Sequence, residues 1–332
     1  MARVQDSPLT ATPASGALEL QLEQHRVELT AYSYRMLGSS FEAEDAVQET
    51  FLRAWRGFDR FEGRAALRSW LYRIATNVCL DMLSGRERRA RPMDLGPAQE
   101  PVESNLNTLP EVTWIEPIPD GRVVPEGDPA EVTVARETVR LAFVAALQHL
   151  PPRQREVLIL CEVLRWKATE VAELLETSVA SVNSALQRAR ATLEGIDVSA
   201  DTAPSVDTAD AELLARYVEA FERYDMEALT SLIHEDATQS MPPFDLWLSG
   251  REDIFRWWVG PGIGCRGSRV IPTVAANGAP AFGQYKPSAG GDGYEPWALQ
   301  VLEVSDGRIV ELTFFLDTER LFPLFGLPAS VG

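Results

Sequence analysis

The sequence has few cysteines and histidines and no long apolar run. The cysteines are Cys79, Cys161 and Cys265, and the histidines are His25, His149 and His234. Because they are scattered and show no CxxC spacing, we expect reduced, buried thiols and neither a disulfide, a metal nor a cofactor. No stretch approaches the roughly 18 apolar residues of a membrane-spanning helix, and the polar, Pro-containing start does not resemble a secretory signal. We therefore expect a cytoplasmic protein.

The excess of acidic residues is confined to parts of the chain. The net charge is −18 over 332 residues, which is enough chain for two or three domains. Residues 1–95 contain 13 basic and 13 acidic residues, 96–135 contain one and eight, 136–206 contain eight and nine, and 207–332 contain nine and 19. An acidic protein overall can thus present local basic faces, and binding to DNA is not excluded.

Helical periodicity begins after residues 1–17, which we expect to be a disordered leader. Residues 18–37 are predicted to form one helix that ends at Gly38, and a capping box at Ser39 starts the next. The apolar positions of that second helix are Val47, Phe51, Ala54, Trp55 and Phe58. A third helix, about 67–84, directs Leu67, Trp70, Leu71, Ile74, Val78 and Met82 toward a core. Residues 18–91 are therefore predicted to form one helical unit.

A change of composition marks residues 92–135, which contain eight prolines, nine acidic residues and one arginine, Arg122. The segment is too long and too aperiodic for a loop inside a compact domain, so we predict an acidic linker between two independently folded units. Residues 136–196 are helical again. Helices at about 168–175 and 178–193, separated by Glu176-Thr177, predict a helix-turn-helix. Residues 197–207 are a second linker.

The last 125 residues, 208–332, have an α+β pattern. Two amphipathic helical stretches come first, and strand-like runs such as WALQVLEVS and GRIVELTFFLD follow, joined by the turn dipeptide Asp306-Gly307. This order predicts helices followed by an antiparallel sheet.

Three motifs identify a family. The segments EDAVQETFLRAWRGFDRF at 44–61, LRSWLYRIATNVCLDMLSGRERR at 67–89 and LPPRQREVLILCEVLRWKATEVAELLETSVASVNSALQRARATL at 150–193 resemble the two promoter-binding regions of extracytoplasmic-function sigma factors of RNA polymerase. The resemblance implies a multidomain protein with two all-α sigma domains, the second a helix-turn-helix, and a role in promoter recognition. RNA polymerase core and promoter DNA are the implied partners.

The first unit combines a basic surface with a mixed one. Ten arginines lie between residues 53 and 91 against four acids, which suits contact with phosphates. By resemblance, the residues expected at the minus-ten element are Phe61, Arg64, Arg68, Arg73, Asn77 and Asp81, with Arg86 and Arg88 in the basic run beyond. Those expected to bind polymerase are Asp45, Gln48, Glu49, Leu52 and Arg53. A solvated basic or mixed face remains the alternative.

In the helix-turn-helix, an outward face suited to the major groove is predicted. It comprises Ser181, Asn183, Ser184, Gln187, Arg188 and Arg190. Many relatives have Lys or Arg where this chain has Asn183 and Ala185, which predicts fewer phosphate contacts at the minus-thirty-five element. A helical hairpin that binds only protein is the alternative.

The carboxy-terminal part resembles the SnoaL-like branch of the NTF2-like fold, an α+β cone. The resemblance implies a domain that regulates the sigma units within the same chain, and contact with those units is expected. We expect no catalytic residue; a catalytic role for His234, Asp236 and Asp245 is the alternative. By resemblance the acidic linker could enter the polymerase channel, or it could be disordered. Two rival functions remain: a ligand-sensing DNA-binding regulator, and a SnoaL-like isomerase or hydrolase with a DNA-binding leader.

Overall fold

The computed structural model describes residues 13–61, 66–194, 208–288, 290, 291 and 293–332. Within these ranges no helix is long and apolar enough to cross a membrane. The three cysteines are free; Cys79 is buried and the other two are half-buried. No group of His, Cys, Asp and Glu in the described ranges could hold a metal ion.

The first helical unit contains four helices: α1 Pro13–Glu23, α2 Arg26–Leu37, α3 Ser40–Gly57 and α4 Leu67–Leu83. The predicted caps are present, since Gly38 adopts φ 71° and the Ser39 hydroxyl accepts the Glu42 N–H at 3.2 Å. Three features differ from expectation. The helix predicted over 18–37 is two helices, and α1 begins at Pro13, inside the expected leader. Trp55 is 56% exposed, because it lies about 100° around α3 from the buried Ala54.

Residues 92–135, called the connecting segment below, are ordered and packed. They contain short 3-10 turns, the single turn α5 Asp120–Val123 and helix α6 Pro129–Glu137. Ile115, Ile118 and Val123 are buried in a core that also contains residues of α2 and of the carboxy-terminal domain. The expectation of a linker between independent units is therefore wrong for this arrangement. The few apolar residues of the connecting segment are buried in the shared core, although they show no helical or strand periodicity.

The second helical unit contains α7 Leu141–Gln148, α8 Pro152–Leu158, a π-helical turn Ile159–Val163, α9 Ala168–Leu174 and α10 Val179–Glu194. The tight turn before α10 places Glu176 at φ 52°. Leu147 and Leu158 belong to the same buried cluster as Leu29 and Leu71 of the first unit. The two helical units thus share one core here, which sequence periodicity could not reveal.

The carboxy-terminal domain, 208–332, is a six-stranded sheet with helices against it. Its elements are α11 Thr208–Arg223, α12 Met226–Leu232, β1 Ile233–Ser240, β2 Trp247–Ser249, α13 Arg251–Val259, β3 Arg269–Pro272, β4 Ala281–Pro287, β5 Tyr294–Ser305, β6 Arg308–Phe315 and α14 Thr318–Leu324. The strand order is β2-β1-β6-β5-β4-β3. The β5–β6 hairpin turns at Asp306-Gly307 as predicted. The sheet is not wholly antiparallel, because β1 and β6 run parallel.

Candidate functional surfaces

The candidate polymerase-binding residues lie on the outer side of α3. Asp45, Gln48 and Leu52 are exposed. Arg53 donates from Nε to Glu49 Oε1 at 2.7 Å and from Nη1 to Asp81 Oδ2 at 3.3 Å. The structure therefore brings the five predicted residues together on one helix face and connects that face to α4 through Asp81.

Trp55 extends this face, although the sequence analysis groups it with the apolar positions of the helix. Leu52 is 44% exposed and Trp55 56% exposed, three residues apart on the same helix. Exposed aromatic side chains of this size are typical anchors of protein interfaces. A tryptophan at the edge of an apolar stripe, followed by Arg56, was the signal that could have indicated an interface.

The candidate minus-ten residues lie between Phe61, after α3, and Arg88, after α4. Phe61 stacks on Trp70 with ring centroids 4.8 Å apart. Arg64 lies outside the described residues. Arg68 donates to Glu28 at 2.7 Å, and its guanidinium lies over the rings of Tyr72 and Trp166 at 5.2 and 5.3 Å. Arg68 is thus engaged by its own unit and by the second helical unit at once.

Arg73 also contacts the second helical unit. Its Nη1 donates to Glu176 Oε1 and its Nη2 to the Glu173 carbonyl, both at 3.1 Å. Asn77, one turn further along α4, is exposed. In this arrangement Asn77 is accessible, whereas Arg73 is paired with the turn of the helix-turn-helix.

The basic run after α4 is partly neutralised. Arg86 pairs with Glu42, and Arg88 donates to His149 Nε2 at 2.7 Å. Burial and the neighbouring Arg88 lower the pKa of His149, so the imidazole is neutral at pH 7. Glu42 also pairs with Arg89, and Asp94 pairs with Arg91, so the net positive surface is smaller than the count of arginines suggests.

The outer face of α10 is open. Val182 and Ala189 are buried. The exposed residues of the helix include Ser181, Asn183, Ser184, Gln187, Arg188 and Arg190. Arg190 pairs with Glu162, and this hydrogen bond raises the pKa of Arg190. The structure thus presents all six predicted major-groove residues on an accessible surface.

The connecting segment is hydrogen-bonded to the carboxy-terminal domain along its length. Near its start, Trp247 Nε1 donates to the Gly96 carbonyl at 2.9 Å, and in its middle the Leu109 N–H donates to the Pro243 carbonyl at 3.0 Å. In its second half, the Gly278 N–H donates to Asp120 Oδ1 at 2.7 Å. The sequence analysis gave no signal for these contacts.

The interior of the cone is small and lacks acid–base groups. A cavity of about 30 Å³ is lined by Gln239, Gln284, Cys265, Trp258 and other, mostly aromatic, residues. Among the described lining residues there is no carboxylate or histidine, and burial raises the pKa of the Cys265 thiol. His234 and Asp236 lie outside this cavity, 4.0 Å apart; His234 is half-buried and Asp236 is exposed. Asp245 lies in the loop before β2, next to the connecting segment.

Three family models match the chain in order. Sigma-70 region 2 matches residues 22–89, Sigma-70 region 4 matches 140–193, and a SnoaL-like domain matches 214–312. The chain is 45% identical to the ECF RNA polymerase sigma factor SigG of Mycobacterium tuberculosis over 95% of this chain and 85% of that protein. It is 28% identical to SigJ of the same organism over 88% of this chain and 89% of that protein.

A solved structure gives the same architecture. The crystal structure of the M. tuberculosis extracytoplasmic function sigma factor SigJ aligns with a TM-score of 0.58 and 23% identity, covering 95% of this chain and 99% of that one. The predicted fold, two helical sigma domains followed by an α+β SnoaL-like cone, is confirmed.

Proposed function

The chain belongs to the extracytoplasmic-function sigma factors of RNA polymerase, and from this we propose which surfaces perform each step. As an alternative sigma factor it binds the polymerase core and promoter DNA and starts transcription, while the polymerase catalyses RNA synthesis. A factor that works with the polymerase works where the chromosome is, so we place it in the cytoplasm.

The polymerase-binding surface in this proposal is the outer face of α3. It consists of Asp45, Gln48, Glu49, Leu52 and Arg53, to which we add Trp55. Its exposure supports the assignment: a charged rim around two exposed apolar side chains matches the composition of separable protein interfaces.

The promoter-binding surfaces are the outer faces of α4 and α10. For the minus-ten element we propose Phe61, Arg64, Arg68, Arg73, Asn77, Asp81, Arg86 and Arg88. For the minus-thirty-five element we propose Ser181, Asn183, Ser184, Gln187, Arg188 and Arg190. Accessible polar side chains on α10 suit base edges, and the exposed amide of Asn77 suits an extruded base.

The carboxy-terminal domain regulates the sigma units by holding the connecting segment. Hydrogen bonds at Gly96, Leu109 and Asp120 support this proposal, because a connecting segment bound along the domain is not free to follow a path on the polymerase. The contacts of Arg68 and Arg73 with the second helical unit favour a compact, low-activity arrangement. The domain acts through binding and has no catalytic role in this proposal.

Run-off transcription with purified core polymerase tests the proposal. We expect the full chain to direct initiation from a subset of genomic fragments, and substitutions on α3, α4 or α10 to abolish it. The opposite result would be that the substitutions on α3, α4 and α10 leave transcription unaffected, while His234→Ala or Asp236→Ala abolishes a small-molecule conversion. In that case the enzyme alternative would replace the proposed sigma-factor function.

A further inference from the structure

A cavity of about 460 Å³ lies where three parts of the chain meet. The first helical unit contributes Phe41 at the start of α3. The connecting segment contributes residues between Thr108 and Pro117, and the carboxy-terminal domain contributes residues around Pro242 and between Phe315 and Leu321. The volume is within the usual range of small-molecule sites, about 300 to 1,000 Å³. The cavity is distinct from the interior of the cone.

The walls are fixed by the backbone and are mostly apolar. The Leu109 N–H donates to the Pro243 carbonyl at 3.0 Å, and the Leu316 N–H donates to the Pro242 carbonyl at 3.1 Å. These bonds join the connecting segment and the residue after β6 to the same loop, which contains Pro242 and Pro243. The cavity is therefore formed before any ligand binds. Aromatic and branched side chains complete it, including Phe41, Trp114 and Phe244.

The polar groups of the lining favour a cation. Of the described lining residues, three are acidic, namely Glu111, Glu116 and Asp317, and none is basic. The adjacent Arg320 already pairs with all three carboxylates and lies over the Phe41 ring at 3.9 Å. Arg89 also faces Glu116, but it is already paired with Glu42 at 3.2 Å. The carboxylates around this end of the cavity therefore outnumber the guanidiniums, and Arg320 has little capacity for an anionic ligand.

We propose that this cavity binds a small apolar molecule with one protonated amine, with the amine at the Glu116 and Asp317 end. Burial raises the pKa of both carboxyls, so their ionised forms gain from a nearby cation.

Binding stabilises the arrangement in which the three parts are assembled, because the complete cavity exists only there. If the regulatory role proposed above is right, the amine lowers transcription by keeping the connecting segment on the carboxy-terminal domain. This consequence rests on the proposed function, whereas the binding itself does not.

Isothermal titration calorimetry on the full chain measures the binding separately from its regulatory consequence. The probes are phenylbutylamine and phenylbutyrate, which have the same apolar body and opposite charges. We expect one site per chain for the amine, with affinity at least about tenfold higher than for the acid. Leu109→Trp, which fills the cavity, and Asp317→Asn, which removes a charge at constant shape, should each weaken amine binding at least about fivefold.

Two matched variants control for nonspecific effects. Val112→Trp changes an exposed residue of the connecting segment, and Glu319→Gln removes an exposed charge from α14, two residues after Asp317. Both variants should bind the amine like the parent chain. No binding of either probe, equal binding of both, or equal loss in a test variant and its control would overturn the site. Intact binding with unchanged run-off transcription would refute only the regulatory consequence.

Discussion

Asn277 of the carboxy-terminal domain donates from Nδ2 to the hydroxyl of Tyr34 in α2, at 2.7 Å and across 243 positions of sequence. The same amide donates to the Val139 carbonyl at 2.6 Å, and its Oδ1 accepts the Ile118 N–H at 3.0 Å. Tyr34 donates in turn to the Glu116 carbonyl at 2.7 Å. One fully buried amide thus joins the connecting segment at Ile118, the chain just before α7 at Val139, and α2 to the domain.

Asn277→Asp should therefore loosen the domain from the sigma units. The substitution keeps the side-chain shape and tolerates φ 55°, but it replaces two buried donations with a carboxylate facing acceptors. We expect a loss of roughly 2 to 3 kcal/mol in the free energy of unfolding and a several-fold rise in transcription. Chemical denaturation and run-off assays measure the two effects. Asn107→Asp, the same change at an exposed position of the connecting segment, should alter neither.

Removing residues 208–332 would be a poorer test of the same idea. Tyr34, Ile118 and Leu141 are buried in one core with Ala276, Leu299 and Phe322 of the domain. Truncation exposes that apolar surface, so loss of activity after truncation would not distinguish a regulatory role from misfolding.

Asp45→Arg and Trp55→Ala should each weaken binding to core polymerase at least about fivefold. Both side chains are exposed, so the fold should be unaffected. Co-purification with core enzyme measures binding, and circular dichroism checks folding. Glu131→Arg, an exposed charge reversal on α6, provides the control. Undiminished binding by both α3 variants would remove this surface from the proposal.

Asn77→Ala should reduce open-complex formation on a duplex promoter more than on one already melted at the minus-ten element. An amide that holds an extruded base matters most when unstacking is costly. Permanganate footprinting on both templates gives the comparison. Since Asn77 is exposed, the variant should have the same free energy of unfolding as the parent chain. Equal losses on the two templates would contradict a role in base capture.

Glu176→Gln should increase promoter affinity by weakening the pairing with Arg73. The Glu176 side chain is exposed and that of Arg73 is half-exposed, so the pair contributes at most about 1 kcal/mol, which corresponds to about fivefold in affinity. Glu173→Gln is the matched control, because Arg73 contacts only the backbone carbonyl of Glu173. Fluorescence anisotropy with labelled promoter DNA measures both. An equal increase in the two variants would indicate a general effect of charge.

The local structure could be predicted from the sequence, whereas the packing of the helical units, the connecting segment and the carboxy-terminal domain against one another could not. Caps at Gly38 and Ser39 and the turn at Asp306-Gly307 depend on short-range chemistry, and the outer face of α10 follows from periodicity. The fixed connecting segment was missed because Ile115 and Ile118 are single apolar residues among prolines. Their burial depends on partners such as Ala276, far away in sequence.

Glu303 should make stability depend on pH. It accepts from Arg140 at 2.9 Å on the buried side of β5, with Arg91 and Glu311 also facing it. Burial raises its pKa from 4.5 to about 7, an effect that Arg140 only partly offsets. Between these two pKa values the folded protein holds a proton that the unfolded chain has released. The free energy of unfolding therefore falls as pH rises from about 4.5 to about 7, by up to about 1.4 kcal/mol per pH unit from this group, and the contribution levels off above pH 7.

Glu303→Gln mimics the protonated carboxyl and should flatten that slope. Glu156, whose pKa is also raised to about 7 by burial, acts in the same direction, so part of the slope should remain. Urea unfolding between about pH 5 and about pH 8 measures the effect. Glu295→Gln, a half-exposed position on the same strand, should keep the parent slope. A Glu303→Gln slope equal to that of the parent would show that Glu303 does not take up a proton on folding.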